Sequence, residues 1–192
     1  MSNSTYTTIA QYTITNSSSN ISTIAFNSIP QTYTDLRINC NLPSLTTPYG
    51  LSDVAFSFNA DHTTSRFSDV YFFGYGGTPA SPTIPNNLSY SSSGFAYIDD
   101  PSAFAQSTDS TVTFDIYNYS NTTTNKTVFC RWYYPNHSST NTANLYVAEL
   151  IYNCNSTNAV ASFELNSSNF AGTPSRYFPQ GTVIDILGIK AA

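Results

Sequence analysis

The sequence predicts an all-β fold, an antiparallel β-sandwich that is jelly-roll-like, with roughly ten strands and almost no helix. Apolar and polar residues alternate with a period of two, and clusters of Gly, Pro, Asn and Ser separate the alternating segments. No segment carries the i, i+3, i+4, i+7 apolar stripe of an amphipathic helix. Aromatic residues make up 15% of the chain, mostly Tyr and Phe, which favour strands.

The clearest predicted strand spans residues 110–117. Val112, Phe114 and Ile116 share one face, and the polar residues between them share the other. Similar alternation predicts further strands at 7–14, 21–26, 35–41, 53–59, 69–75, 94–98, 127–134, 145–153, 159–165 and 182–189. Segments rich in Gly, Pro, Asn, Ser or Thr, which we expect to be loops, separate them at 74–85, 118–125, 135–141 and 172–181. One apolar face per strand is what two stacked antiparallel sheets require.

One predicted strand, 145–153, is apolar on both faces except at Glu149. This pattern indicates a central position in its sheet. A carboxylate inside a sheet needs a hydrogen-bonding partner. Arg131, in the preceding predicted strand, is the candidate.

The composition fits one domain, 1–192, with a short N-terminal arm at about 1–6. Charged residues make up 9% of the chain, against about a quarter in ordinary soluble domains, whereas Ser, Thr and Asn supply about two residues in five. Solubility therefore depends on hydroxyls and amides, as is typical of extracellular or virion β-proteins. The first residues have no basic and apolar leader, and a virion protein made in the host cytoplasm needs none.

The charge distribution argues against nucleic acid and membranes as partners. The net charge is −5, and the six Lys and Arg residues are scattered singly rather than clustered. No apolar run reaches membrane-spanning length.

Three cysteines lie far apart in strand-like runs, at Cys40, Cys130 and Cys154. Their spacing does not fit a zinc site. We interpret them as small buried residues, although one disulfide bridge between two of them stays open.

Two acidic groupings could supply ligands to a cation, Asp61-His62 with Asp69, and Asp99-Asp100. Neither has the dense ladder of oxygen ligands of a calcium loop. We expect Asp61 to cap its own turn and His62 to be solvated, with no metal and no cofactor bound.

The sequence favours a non-enzymatic protein. Its two histidines, His62 and His137, have no nucleophile motif near them. A glycosidase needs two carboxylates across a cleft, and the two glutamates, Glu149 and Glu164, each fall within a predicted strand.

The candidate contact residues for a glycan or a partner protein lie around one strand end: Trp132, Tyr133, Tyr134, Asn136 and His137. Sugar rings stack on aromatic faces, and the Asn and His side chains would supply hydrogen bonds. The alternative is that Val128, Cys130 and Trp132 pack inward while Tyr133 lies on the other face of the sheet or in a subunit interface.

Several segments resemble structural proteins of tailed phages. Residues 28–36, Ser-Ile-Pro-Gln-Thr-Tyr-Thr-Asp-Leu, are similar to a segment common in that family. Residues 58–61 resemble its Phe-Asn-Gly-Asp turn, with Ala60 in place of the usual Gly. Further matches are 114–119 with Lys126, 169–171, and the closing strand at 181–189.

This resemblance implies a β-sandwich component of the virion, on the outer surface of the capsid or tail. The first expectation is a capsid decoration or cement protein that docks on the major capsid protein and forms a homo-oligomer, a trimer or a dimer. The alternative is a receptor-binding or structural module of a tail or head fibre, which would contact host surface glycans through loops at 74–85 or 133–140.

Overall fold

A computed structural model describes residues 5–16, 21–43, 53–63, 66–75, 96–97, 109–137, 143–168 and 177–190. These ranges contain eleven strands and no helix, and thus no helix that is long and apolar enough to cross a membrane. The strands are β1 (Tyr6–Thr13), β2 (Thr23–Phe26), β3 (Asp35–Leu42), β4 (Asp53–Phe58), β5 (Phe67–Tyr75), β6 (Ala96–Tyr97), β7 (Ser110–Tyr117), β8 (Lys126–His137), β9 (Ala143–Cys154), β10 (Phe163–Ser168) and β11 (Val183–Ile189). The all-β prediction is confirmed.

The strands form two antiparallel sheets. One has seven strands in the order β1-β11-β3-β7-β8-β9-β5, and the other has four in the order β2-β10-β4-β6. The two sheets pack as a sandwich. The jelly-roll part of the prediction is not confirmed, because a jelly roll divides eight strands between two sheets.

Phe56 of β4 joins the two sheets. Its ring is fully buried and makes edge-on contacts with Phe67, Phe114 and Tyr152 of the seven-stranded sheet, with centroid distances of 5.2, 5.1 and 5.1 Å. Edge-to-face pairs add to the hydrophobic free energy of burial. This aromatic cluster is the centre of the core.

The strand β8 extends beyond the predicted loop boundary at 135. Pro135 pairs with Leu145 of β9, although proline was expected to end the strand. The last pair between β8 and β7 is Tyr133 with Thr111. Past that point β8 has a partner on only one side among the described residues, and proline is tolerated there because no ladder bond is lost on the open side.

The predicted strand at 159–165 begins later, at Phe163. Asn59 explains the difference, because its Oδ1 accepts the N–H groups of Ala161 and Ser162 at 2.8 and 3.1 Å. Its own N–H donates to the carbonyl of Ser162 at 3.0 Å. A side chain, rather than a neighbouring strand, satisfies this backbone.

The three cysteines are free and buried. Burial raises the pKa of Cys154 to about 11 and raises the pKa values of Cys40 and Cys130 above their ordinary range. The thiols are therefore protonated and unreactive near neutral pH. The interpretation as small buried residues is confirmed, and no disulfide joins them.

Two segments that carry the phage resemblance meet at one end of the sandwich. The buried Tyr119 donates its hydroxyl hydrogen to the carbonyl of Pro30. Asp35 Oδ1 accepts the N–H of Asn118 at 2.8 Å. These residues therefore fix the loop after β7 against the segment 28–36, which is an architectural role.

Candidate functional site: the outer face of the seven-stranded sheet

A row of ion pairs crosses the outer face of the seven-stranded sheet. Arg37 of β3 binds Asp115 of β7 with two hydrogen bonds, from Nε to Oδ1 at 2.6 Å and from Nη2 to Oδ2 at 3.0 Å. Arg131 of β8 donates to the same carboxylate at 3.2 Å, and its Nε bonds Glu149 of β9 at 3.2 Å. We call these four residues the ion-pair row.

The ion-pair row is electrically balanced, with two cations and two anions. The Asp115 side chain is 5% exposed, whereas the two arginines that cover it are each about one-third exposed. Its carboxylate raises the pKa of the Arg37 guanidinium above the ordinary value, mainly through their hydrogen bond. The face thus presents hydrogen-bonding groups with little net charge.

Two tyrosines border a shallow groove over this row, with a volume of about 410 Å³. Tyr6 is 44% exposed and Tyr133 is 40% exposed. The Arg37 guanidinium lies 5.5 Å from the ring centroid of Tyr6 and donates to its hydroxyl at 3.2 Å. The groove is lined by Tyr6, Arg37, Asn39, Thr113, Arg131, Tyr133 and Leu187.

Tyr6 was assigned by sequence to an N-terminal arm, but it is the first residue of β1 and pairs with Ile189. The sequence did not single out Tyr6 or Arg37 as site residues. The pairing of β1 with β11, and of β11 with β3, brings them to the groove.

The predicted contact residues around 132–137 are divided by the strand. Trp132 is 1% exposed and lies in the core, so its predicted role in stacking on a sugar is corrected. Tyr133 lies on the outer face, which agrees with the alternative that Trp132 packs inward and Tyr133 takes the other face of the sheet. The side chains of Tyr134, Asn136 and His137 lie outside the described part of the chain.

The predicted pair of Arg131 and Glu149 is confirmed. The two residues lie directly opposite each other in the register of β8 and β9. Strand β9 pairs on both sides, with β8 and β5, as predicted. Its Glu149 side chain, however, is 57% exposed on the outer face rather than enclosed in the sheet.

The second glutamate lies on the opposite side of the sandwich. Glu164 alternates with the buried Phe163, so it faces outward from the four-stranded sheet, and the two glutamates do not flank one cleft. Its Oε2 accepts the hydroxyl of Ser57 at 3.2 Å and lies 3.0 Å from His62 Nε2. His62, predicted to be solvated, is 42% exposed and has this partner.

The order of groups in this cluster differs from that of a Ser-His-acid triad. The carboxylate of Glu164 stands between the hydroxyl of Ser57 and the imidazole of His62. In a triad the imidazole occupies the middle position and takes the proton of the hydroxyl. This geometry does not activate Ser57 as a nucleophile.

Asp61 caps its turn as predicted. Its Oδ1 accepts the N–H of Thr63 at 3.0 Å, and Oδ2 pairs with Arg66 Nη2 at 2.7 Å. The bond from the Thr63 side chain is the main cause that holds the pKa of Asp61 below its ordinary value. In the described ranges, no three His, Cys, Asp or Glu side chains lie close enough together to hold a metal ion. The Asp99-Asp100 pair lies outside those ranges.

The fold and this face define an all-β, sandwich-like protein whose largest sheet carries a charge-balanced groove bordered by tyrosines. No family model, no curated protein and no solved structure matches the chain.

Proposed function

We propose that this chain is a non-enzymatic structural protein of a phage virion, a decoration or cement protein that docks on the major capsid protein. The observation that carries the proposal is the groove between Tyr6 and Tyr133, with the ion-pair row beneath it. The segments that resemble tailed-phage structural proteins support the phage context.

The composition of the groove favours a protein partner. Tyr and Arg are enriched in protein interfaces, and unpaired charges are depleted from their centres. Both arginines already share the carboxylate of Asp115. When docking removes water from this face, their charges would still have an oppositely charged partner.

The size of the face also suits docking. Six adjacent strands of the sheet, in the order β1-β11-β3-β7-β8-β9, form this face. At a spacing of about 4.8 Å and about eight residues per strand, they cover roughly 700 Å². A stable interface of ordinary size takes about 800 Å² from each partner. With the loops at its edges, this face is large enough to hold the protein on a shell.

Copy number in purified virions tests the location. A decoration protein is expected at a number comparable with that of the major capsid protein, measured by gel densitometry. Shells that carry the protein should also resist heat or osmotic shock better than shells without it. A few copies per virion, or unchanged resistance, would contradict the proposal.

Substitution of the groove tests the docking face. Tyr133→Ala and Tyr6→Ala should weaken binding to shells that lack the protein, because each removes an exposed ring from the groove. Tyr117→Ala separates the groove from the rest of the face and should weaken binding less, since Tyr117 is 43% exposed on the same face but does not line the groove. Co-sedimentation with shells measures the difference, and unchanged binding of the Tyr6 and Tyr133 variants would place the docking site elsewhere.

A second candidate function is a fibre module that binds host surface glycans. Two exposed tyrosine rings beside two guanidinium groups favour it, because sugars stack on aromatic rings and acidic sugars pair with arginine. Glycan-array binding that Tyr133→Ala abolishes, together with a low copy number, would support this function over decoration.

A further inference from the structure

A cavity of about 210 Å³ lies at one end of the sandwich, away from the groove. It forms where β4 and β9 end and where β5 and β8 begin. Its lining residues are Phe58, Asn59, Asp61, Arg66, Phe67, Lys126, Cys154, Ser156, Asn158 and Val160.

Lys126 is the most unusual residue of this cavity, because its side chain is buried, with 1% exposure. Its Nζ donates to the backbone carbonyls of Thr124 at 2.7 Å and Thr157 at 3.3 Å. An ammonium group has three N–H donors, so one has no acceptor among the described residues. In the described part of the chain Lys126 has no carboxylate partner, and its charge is not neutralised.

Arg66 supplies a second cation on the cavity wall. Its Nη2 pairs with Asp61, and its Nη1 donates to the carbonyl of Asn155 at 2.9 Å. Its Nε is buried and has no hydrogen-bond partner among the described residues. A buried donor without a partner is costly unless a ligand or water satisfies it.

The charges on the cavity wall sum to +1, from Lys126, Arg66 and the single carboxylate of Asp61. Asp61 is already bound to Arg66 and Thr63, so it does not serve Lys126. Burial lowers the pKa of Lys126, as expected for a cation that lacks a counter-charge.

We propose that this cavity binds a small oxyanion of the phosphate or sulfate type, held by the Lys126 ammonium and the Arg66 guanidinium. The oxygen atoms of the anion would accept hydrogen bonds from the free N–H groups of both residues. Its negative charge would offset the net positive charge of the cavity wall. The volume admits a tetrahedral oxyanion together with water. This site is independent of the docking face and of the proposed function.

Calorimetric titration of the full chain with sodium phosphate and with sodium sulfate at pH 7, against sodium chloride at equal ionic strength, tests the proposal. We expect saturable binding in the millimolar range or tighter for at least one oxyanion, and a midpoint of thermal unfolding that rises with its concentration. Absence of saturable binding, or the same response to chloride, would overturn it and leave water as the occupant.

Two substitutions locate the site. Lys126→Met, which keeps a side chain of similar length but removes the charge, should weaken oxyanion binding at least tenfold. Arg66→Gln should do the same, and it decides the question if the Lys126 variant does not fold, because Arg66 is only partly buried. Lys190→Met is the matched control, since Lys190 is exposed in the described structure and outside the cavity. Unchanged binding in the folded cavity variants would overturn the assignment.

Discussion

Arg37 and Asp115 face each other across β3 and β7 and form a two-bond ion pair in which the carboxylate is almost fully buried. Arg131 covers the remaining side of the same carboxylate from the diagonal position on β8. The single buried carboxylate of Asp115 therefore binds both arginines on the outer face. We expect the stability of the protein to depend on this arrangement.

Asp115→Asn should lower the free energy of unfolding by about 1 to 3 kcal/mol, because an amide accepts fewer bonds and leaves two arginines without their shared anion. The partial exposure of the arginines limits the loss, since water can solvate them. Urea unfolding measures it. Asp185→Asn is the control, because Asp185 bonds the neutral Gln11, and it should change stability by less than about 0.5 kcal/mol. Equal losses would contradict the role given to the two arginines.

Ala60→Gly should raise the free energy of unfolding by about 0.5 to 1 kcal/mol, because Ala60 has φ of +50°, a left-handed conformation that glycine adopts without strain. Asn59 before it has φ of +56°, and Asp61 N–H bonds the carbonyl of Phe58 at 2.9 Å, as in a type I′ turn. Thermal and urea unfolding check the sign.

The control for this substitution is Ala25→Gly, in the exposed face of β2. There glycine should lower stability by about 0.5 to 1 kcal/mol, because it gains freedom in the unfolded chain. The two substitutions are thus expected to have opposite signs. A loss of stability in both would show that the turn is not strained at residue 60.

Gly188→Ala should lower the free energy of unfolding by about 1 to 3 kcal/mol. An added Cβ would lie 2.5 Å from the Tyr33 ring, so the ring would have to leave its place against the β11 backbone. Lys190, whose ammonium lies 5.6 Å from the centre of that ring, would lose its contact. A double-mutant cycle with Tyr33→Ala measures the coupling, and simple additivity would contradict a steric cause.

Asp69 should make stability fall as the pH rises from 4 to 7. Burial raises the pKa of Asp69 to about 6, against about 3.9 in an unfolded chain. Between these values the folded protein holds a proton that the unfolded chain has released, so this stabilisation is complete at low pH and is lost as the pH passes the folded pKa. Because the side chain is only partly buried, we expect a loss of about 1 to 2 kcal/mol.

Asp69→Asn isolates this contribution. At pH 4 the variant and the natural chain should be about equally stable, whereas at pH 7 the variant should be more stable by the amount lost. Urea unfolding at both pH values measures the difference. Equal stability at pH 7 would mean that the carboxyl of Asp69 ionises without a penalty in the folded protein.

Much of the local structure was readable because side chains in a strand alternate between two faces. Strand β7 begins and ends where the period of two predicted, and its inward residues Val112, Phe114 and Ile116 are fully buried. The same rule also applies to a charged residue at the start of β8. Lys126 has the parity of the inward-facing Val128 and Cys130, so alternation alone places it on the inner face, where the cavity lies.

Local alternation was enough to predict the all-β class, the positions of most strands, the burial of the cysteines, and the pair of Arg131 with Glu149, which are neighbours because β8 and β9 follow each other in the chain. Long-range folding, by contrast, brings Tyr6 to Arg37, Arg37 to Asp115, and Lys126 and Arg66 to one cavity. These contacts join strands far apart in the chain. Alternation specifies which face a side chain takes, but it carries no information about which distant strand lies beside it.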